Sequence, residues 1–187
     1  MLMFTEDQKR ALVRIARDAV VRATSRTAGA EIAVADAGAF PEASGAFVTL
    51  KRGGHLRGCI GTLDCRHSLP EEIARVAVSA AREDPRFEPL RASELEDLEV
   101  EVSILGPLER IDPFDEQAFE IGTHGLVVED GWRRGLLLPQ VATERGWDRE
   151  TFLSQTSLKA GLPSDAWRTG ATVYRFAGEA FGDGSNP

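Results

Sequence analysis

Cys59 is one of the two thiols in this sequence. It stands in Leu56-Arg57-Gly58-Cys59-Ile60-Gly61-Thr62-Leu63, between two glycines and two residues after an arginine. Glycine is disfavoured inside strands unless the backbone bends or something comes close. Gly58 and Gly61 therefore mark a bulge, tight packing or a place where a ligand approaches. Residues two apart in a strand share a face, so the Arg57 charge would sit beside the thiol and favour the thiolate, its nucleophilic form. The alternative is a small buried hydrophobe at a position too tight for anything larger, with Arg57 laid over the sheet. Both readings stay open.

His124 lies in Gly122-Thr123-His124-Gly125, just before a strand. A histidine there can move protons or ligate a metal, or cap the backbone of a turn. Gln140 follows Leu138-Pro139, where its amide could meet a ligand or simply open a helix. Lys51, Gly58, Gly61 and Gln140 are the candidate binding residues, and Cys59, Arg57 and His124 the candidate catalytic ones. No metal site is expected: His55, His67 and His124 form no close motif, and Cys59 and Cys65, the only cysteines, are too sparse for a thiolate zinc site. No phosphate loop or dinucleotide fingerprint occurs. No cofactor can be assigned. Trp132, Trp147 and Trp167 are expected to pack in the core.

The elements that must hold these residues are legible in outline. Thr5-Glu6-Asp7-Gln8 is a capping box opening a helix, with Leu12, Ile15, Ala16, Ala19 and Val20 on one face and Arg10, Arg14, Arg17, Arg22 and Arg26 on the other. Strands 46–52 and 55–60 flank Gly53-Gly54 and predict a hairpin. In that pairing Arg52 faces His55, Leu50 faces Arg57 and Val48 faces Cys59. Ser68-Leu69-Pro70-Glu71 starts a second helix, which Asp84-Pro85 ends. A helical turn at 93–98 leads to the alternating strand 99–105. A second hairpin is expected around Asp130-Gly131. Short helices follow at 140–145 and from Asp148 to 160, with Gly161 as C-terminal glycine, and a last strand at 172–177. Asp84 and Arg86 read as residues that tie the helix end to a neighbour. Helices and hairpins without βαβ regularity indicate an α+β class with largely antiparallel sheets and flanking helices.

Composition sets the outer bounds. The 187 residues are 42% hydrophobic and 28% charged, as in an ordinary globular protein. The net charge of -8 repels nucleic-acid phosphates unless a basic patch is concentrated on one face. Lys51, Arg52, Arg57 and Arg66 with the outer side of the first helix could supply one. No apolar run is long enough for a membrane span. Met1-Leu2-Met3-Phe4-Thr5-Glu6 lacks the basic start and apolar core of a signal peptide, so the expected location is the cytoplasm. Residues 182–187 read as a disordered tail.

Several segments, in order, resemble the AMMECR-type domain family, named for the AMME syndrome chromosomal region. They are Phe47-Val48-Thr49-Leu50, the octapeptide around Cys59, Asp84-Pro85-Arg86-Phe87, Gly122-Thr123-His124-Gly125-Leu126, Leu136-Leu137-Leu138-Pro139-Gln140-Val141, Gly146-Trp147-Asp148 and Lys159-Ala160-Gly161-Leu162. The resemblance runs from about Phe4 to Phe181 and is strongest to the prokaryotic members called protein A of the Amme-Memo-RadiSam system. It implies a single domain over 1–187 made of two α+β lobes. It also implies partnership with a Memo-like protein and a radical S-adenosylmethionine enzyme. It does not imply a reaction. Family members often carry a cysteine where this chain has Ser157, so any mechanism that needs two thiols is weakened. Two functions are expected to compete. One is an enzyme or ligand-binding subunit acting on a small molecule or peptide in a cleft around Cys59. The other is a non-catalytic module that binds protein or, less favourably, nucleic acid.

Overall fold

A computed structural model describes residues 4–25 and 39–184. Arg26, the first three residues and the last three lie outside the described residues. The chain divides into two compact units, one from 2–105 with 179–187 and the other from 106–178.

In the first unit, helix α1 (Glu6–Thr24) starts at the capping box: the Gln8 amide hydrogen goes to the Thr5 hydroxyl, and the Gln8 side chain accepts from the Thr5 amide. Helix α2 (Leu69–Arg82) starts at Ser68 in the same way, with Glu71 as the return partner. The two helices pack together and cover one face of a sheet in which strand β1 (Gly45–Arg52) lies between β2 (His55–Thr62) and β3 (Leu98–Leu105). Alternation sends Ala46, Val48 and Leu50 of β1 and Val100, Val102 and Ile104 of β3 into the core, each fully buried. The alanines of α2 let helix and sheet approach closely. A Cβ on Gly58 would lie 2.3 Å from the Ala80 carbonyl oxygen.

The first hairpin turns at Gly53-Gly54, both at positive φ (55° and 76°), which a type I′ turn requires. Its register differs from the expected one. Leu50 pairs with Gly58 and Lys51 with Leu56, so Arg57 is an extra, bulged residue. The bulge slips β2 by one place: Cys59 faces Thr49, and Ile60 faces Val48.

In the second unit, strand β4 (Glu109–Ile111) pairs with β7 (Thr172–Gly182), β7 with β5 (His124–Asp130), and β5 with β6 (Arg133–Leu137), all antiparallel. Helices α3 (Pro139–Arg145), α4 (Arg149–Lys159) and α5 (Ala166–Thr169) accompany this sheet, and Phe119, Leu126, Phe152, Leu153, Trp167 and Val173 form the core. The hairpin turn falls one residue later than expected, at Gly131-Trp132, because Asp130 pairs with Arg133. Only its first central residue has positive φ, 60° at Gly131, as in a type II′ turn. That register leaves Trp132 88% exposed at the hairpin tip, against the expectation of core packing, whereas Trp167 is buried.

The end of β7 belongs to the first unit, next to β3. The stretch expected as a tail begins in ordered structure: Asp183 accepts the Val100 amide hydrogen at 2.8 Å and pairs with Arg17. Residues 185–187 lie outside the described residues. The fold is α+β with antiparallel sheets. Among the described residues, no helix is long and apolar enough to cross a membrane.

Candidate functional site

Cys59 occupies β2, the strand at one end of the described sheet. Its backbone is held from outside that sheet. Asp84 Oδ2 accepts the Cys59 amide hydrogen at 2.9 Å, and Arg86 Nη2 donates to the Cys59 carbonyl at 3.3 Å. The same carboxylate and guanidinium are joined by bonds of 2.9 and 2.7 Å. Asp84 is buried, and the Arg86 guanidinium holds its carboxyl far below the usual carboxylate range against the opposing effect of burial. The turn after α2 is thus a two-sided clamp on one peptide unit.

With its N–H and C=O turned outward, Cys59 forms a non-hydrogen-bonded pair with Thr49, the arrangement in which side chains come closest. The Thr49 hydroxyl donates to the sulfur at 3.3 Å. Thr49 in turn faces Glu101 on β3. A thiol, a hydroxyl and a carboxylate therefore stand in one row on the face opposite the helices, and Lys51 Nζ donates to Glu101 Oε2 at 2.9 Å. Thr49, Glu101, Asp84 and Arg86 were missed as site residues by sequence reading. Strand alternation at 99–105 did place Glu101 on the polar face; its neighbours depended on the register.

Arg57 has a partner of its own. It makes a bidentate pair with Glu94, at 2.8 and 3.0 Å. Both side chains are largely buried, and Arg57 pulls the Glu94 carboxyl down to about 2. The guanidinium carbons of Arg57 and Arg86 lie 5.9 and 5.5 Å from the Phe87 ring centre. The Arg57 charge is thus offset by a carboxylate. Packing explains both glycines: Gly58 faces α2, and a Cβ on Gly61 would lie 2.1 Å from the Phe47 ring. Cys65 packs against the first unit's core, and burial, then Glu72 and Asp64, push its thiol up to about 11.

His124 and Gln140 lie in the second unit. His124 Nδ1 accepts the Glu120 amide hydrogen at 3.1 Å, which makes it the backbone cap of its turn and leaves Nε2 to carry the ring proton. It lines a groove of about 410 Å³ with Phe119 and Arg149. Arg149 Nη2 donates to the Asp115 carbonyl at 2.9 Å, and its guanidinium carbon lies 3.7 Å from the Phe119 ring centre. Gln140 is exposed in the first turn of α3. Ser157 is buried in α4, where its hydroxyl is satisfied by the Leu153 carbonyl at 3.0 Å. Among the described residues, no group of three or more His, Cys, Asp or Glu side chains is placed to hold a metal ion. The basic residues near Cys59 are each paired with an acid: Lys51 with Glu101, Arg52 with Asp97, Arg57 with Glu94, and Arg66 with Asp64.

Fold and site together define an α+β domain that presents a clamped thiol on the terminal strand of an antiparallel sheet. The chain belongs to the AMMECR1 family, whose model matches residues 13–181. A protein of Methanothermobacter thermautotrophicus is 44% identical over 182 residues, covering 95% of each chain. One from Thermococcus gammatolerans is 50% identical over 149 residues, covering 75% of this chain and 73% of its own. Among solved structures, an uncharacterised protein from Pyrococcus horikoshii superposes with a TM-score of 0.82 at 38% identity, covering 97% of this chain and 94% of that one.

Proposed function

We propose that this chain is the thiol-bearing, ligand-binding component of an enzyme system, and that its ligand, a small molecule or peptide, meets the Cys59–Thr49–Glu101 row. The observation that carries this reading is the fixing of Cys59 from three directions: by Asp84 at its amide, Arg86 at its carbonyl and Thr49 at its sulfur. Holding the reacting atom in one geometry is what a catalytic or covalent-binding thiol requires. A hydroxyl that donates to sulfur stabilises the thiolate, the form of the thiol that reacts. Lys51 on β1 and Glu101 on β3 supply an ammonium and a carboxylate on the same face.

The partners are those implied by the family resemblance, a Memo-like protein and a radical S-adenosylmethionine enzyme, and the location is the cytoplasm. Nucleic acid is disfavoured by the net charge of -8. The competing reading, a non-catalytic protein-binding module, draws on Trp132, whose exposed ring suits a protein interface. The test is alkylation of a Cys65→Ala protein by iodoacetamide across pH, beside a Thr49→Val variant. The proposal expects Cys59 to react in the folded state and to react several-fold more slowly without the Thr49 hydroxyl. An inert Cys59 would leave the binding module ahead.

A further inference from the structure

A groove of about 800 Å³ in the first unit is lined by Arg10, Arg14 and Arg17 of α1 and by Lys51, Glu99 and Glu101 of the sheet. The three arginines recur at helical spacing, so they project along one side of α1. Their partners differ. Arg17 is held by Asp183 and by the Leu98 carbonyl. Among the described residues Arg10 pairs only with Asp7, whose side chain is 91% exposed, a surface bridge that competes weakly with another anion. Arg14 has no acidic partner among the described residues. Lys51 is engaged by Glu101, and Glu101 is the far member of the row that begins at Cys59. The groove therefore connects an available pair of guanidinium groups to the Cys59 face.

From this we infer that the ligand meeting Cys59 carries an anionic group, a carboxylate or a phosphate, and that Arg14 with Arg10 binds it in this groove. Guanidinium groups match both anions with paired N–H donors. Glu99, which has no basic partner among the described residues, offers an acceptor for an N–H of the same ligand. The inference rests on the proposed function for its connection to Cys59, whereas anion binding itself stands apart from thiol reactivity.

The experiment uses the Cys65→Ala protein and two probes, inorganic pyrophosphate and triglutamate, titrated by calorimetry at low salt. Saturable binding of at least one probe is expected, weakened about tenfold by Arg14→Gln, which corresponds to about 1.4 kcal/mol. Arg10→Gln should weaken it less, and Arg66→Gln, outside the groove, should leave it unchanged. The probe that binds identifies a phosphate or a carboxylate source. Absence of saturable binding for both probes, or equal weakening by Arg66→Gln and Arg14→Gln, overturns the inference. Alkylation separates the two ideas. With Cys59 reactive, bound triglutamate, long enough to reach along the row, should slow its alkylation by iodoacetamide, and Arg14→Gln should remove that protection; protection that survives the substitution counts against the groove. A Cys59 inert to iodoacetamide, together with Arg14-dependent pyrophosphate binding, would sink the proposed function and leave the anion site standing.

Discussion

The carboxylate of Asp84 lies 2.9 Å from the amide nitrogen of Cys59, twenty-five residues earlier in the chain. That bond ties the end of α2 to the strand carrying the thiol, and Arg86 completes it. Asp84→Ala would leave the Cys59 amide without its partner and remove the counter-charge of Arg86. A loss of about 2–4 kcal/mol is expected from urea unfolding. Arg86→Ala, at a half-exposed side chain, should cost less, and an Asp84→Ala protein as stable as the parent would contradict the clamp.

Stability should fall steeply in acid. The carboxyls of Asp84, Glu94 and Glu72 are all lowered in the folded state. Arg86 lowers the first and Arg57 the second. In Glu72 burial acts upward, but hydrogen bonds from His67 and Arg75 prevail and hold it at about 2. In the unfolded chain such groups titrate near 4. As pH drops below that, the unfolded state takes up protons first. The stabilisation is complete above about pH 5 and is lost as pH falls toward the folded values. Urea midpoints at pH 7, 4 and 3 should decline in that order, and Glu94→Gln should flatten the decline. Equal midpoints at pH 7 and 3 would refute the assignment.

Cys65 should be slow to react in the folded protein. With its ionisation pushed up to about 11, Cys65 in a Cys59→Ala protein should alkylate at pH 8 roughly a hundredfold more slowly than an unfolded thiol titrating near 8.5. Addition of urea should abolish the difference. Mass spectrometry of the labelled peptides reads both.

Gly58→Ala tests the seam between helix and sheet. The added methyl would lie 2.3 Å from the Ala80 carbonyl oxygen, a backbone atom that cannot rotate away. A cost of about 1–3 kcal/mol is expected, with α2 displaced from β2. Gly61→Ala meets the Phe47 ring at 2.1 Å and the Ala46 carbonyl oxygen, also a backbone atom, at 2.6 Å, so it should cost a similar amount, with Phe47 displaced. Thermal unfolding measures both variants.

Local chemistry made most of the elements legible. Two capping boxes marked the starts of α1 and α2, a pair of glycines the first hairpin, and Gly146 and Gly161 the ends of α3 and α4. Register was not legible: Gly58 and Gly61 left a bulge open as one of three readings, and nothing local fixed it at Arg57. One extra residue was enough to move Cys59 from Val48 to Thr49. The partner of Arg57 was equally hidden: Glu94 is thirty-seven residues away, brought near by the path of the chain after α2. For His124 both chemistries were visible, and the Glu120 amide placed it as a turn cap. Strand β4 has three residues and owes its form to β7, beyond the reach of periodicity.

The Asp84–Arg86 clamp also has a consequence for the company the protein keeps in solution. A strand at the end of a sheet exposes unpaired amide and carbonyl groups, which can recruit a strand from another molecule. By occupying both groups of Cys59, the turn after α2 interrupts that template midway along β2. Loss of Asp84 would thus expose an adhesive edge as well as loosen the thiol, and aggregation during refolding would accompany the loss of stability.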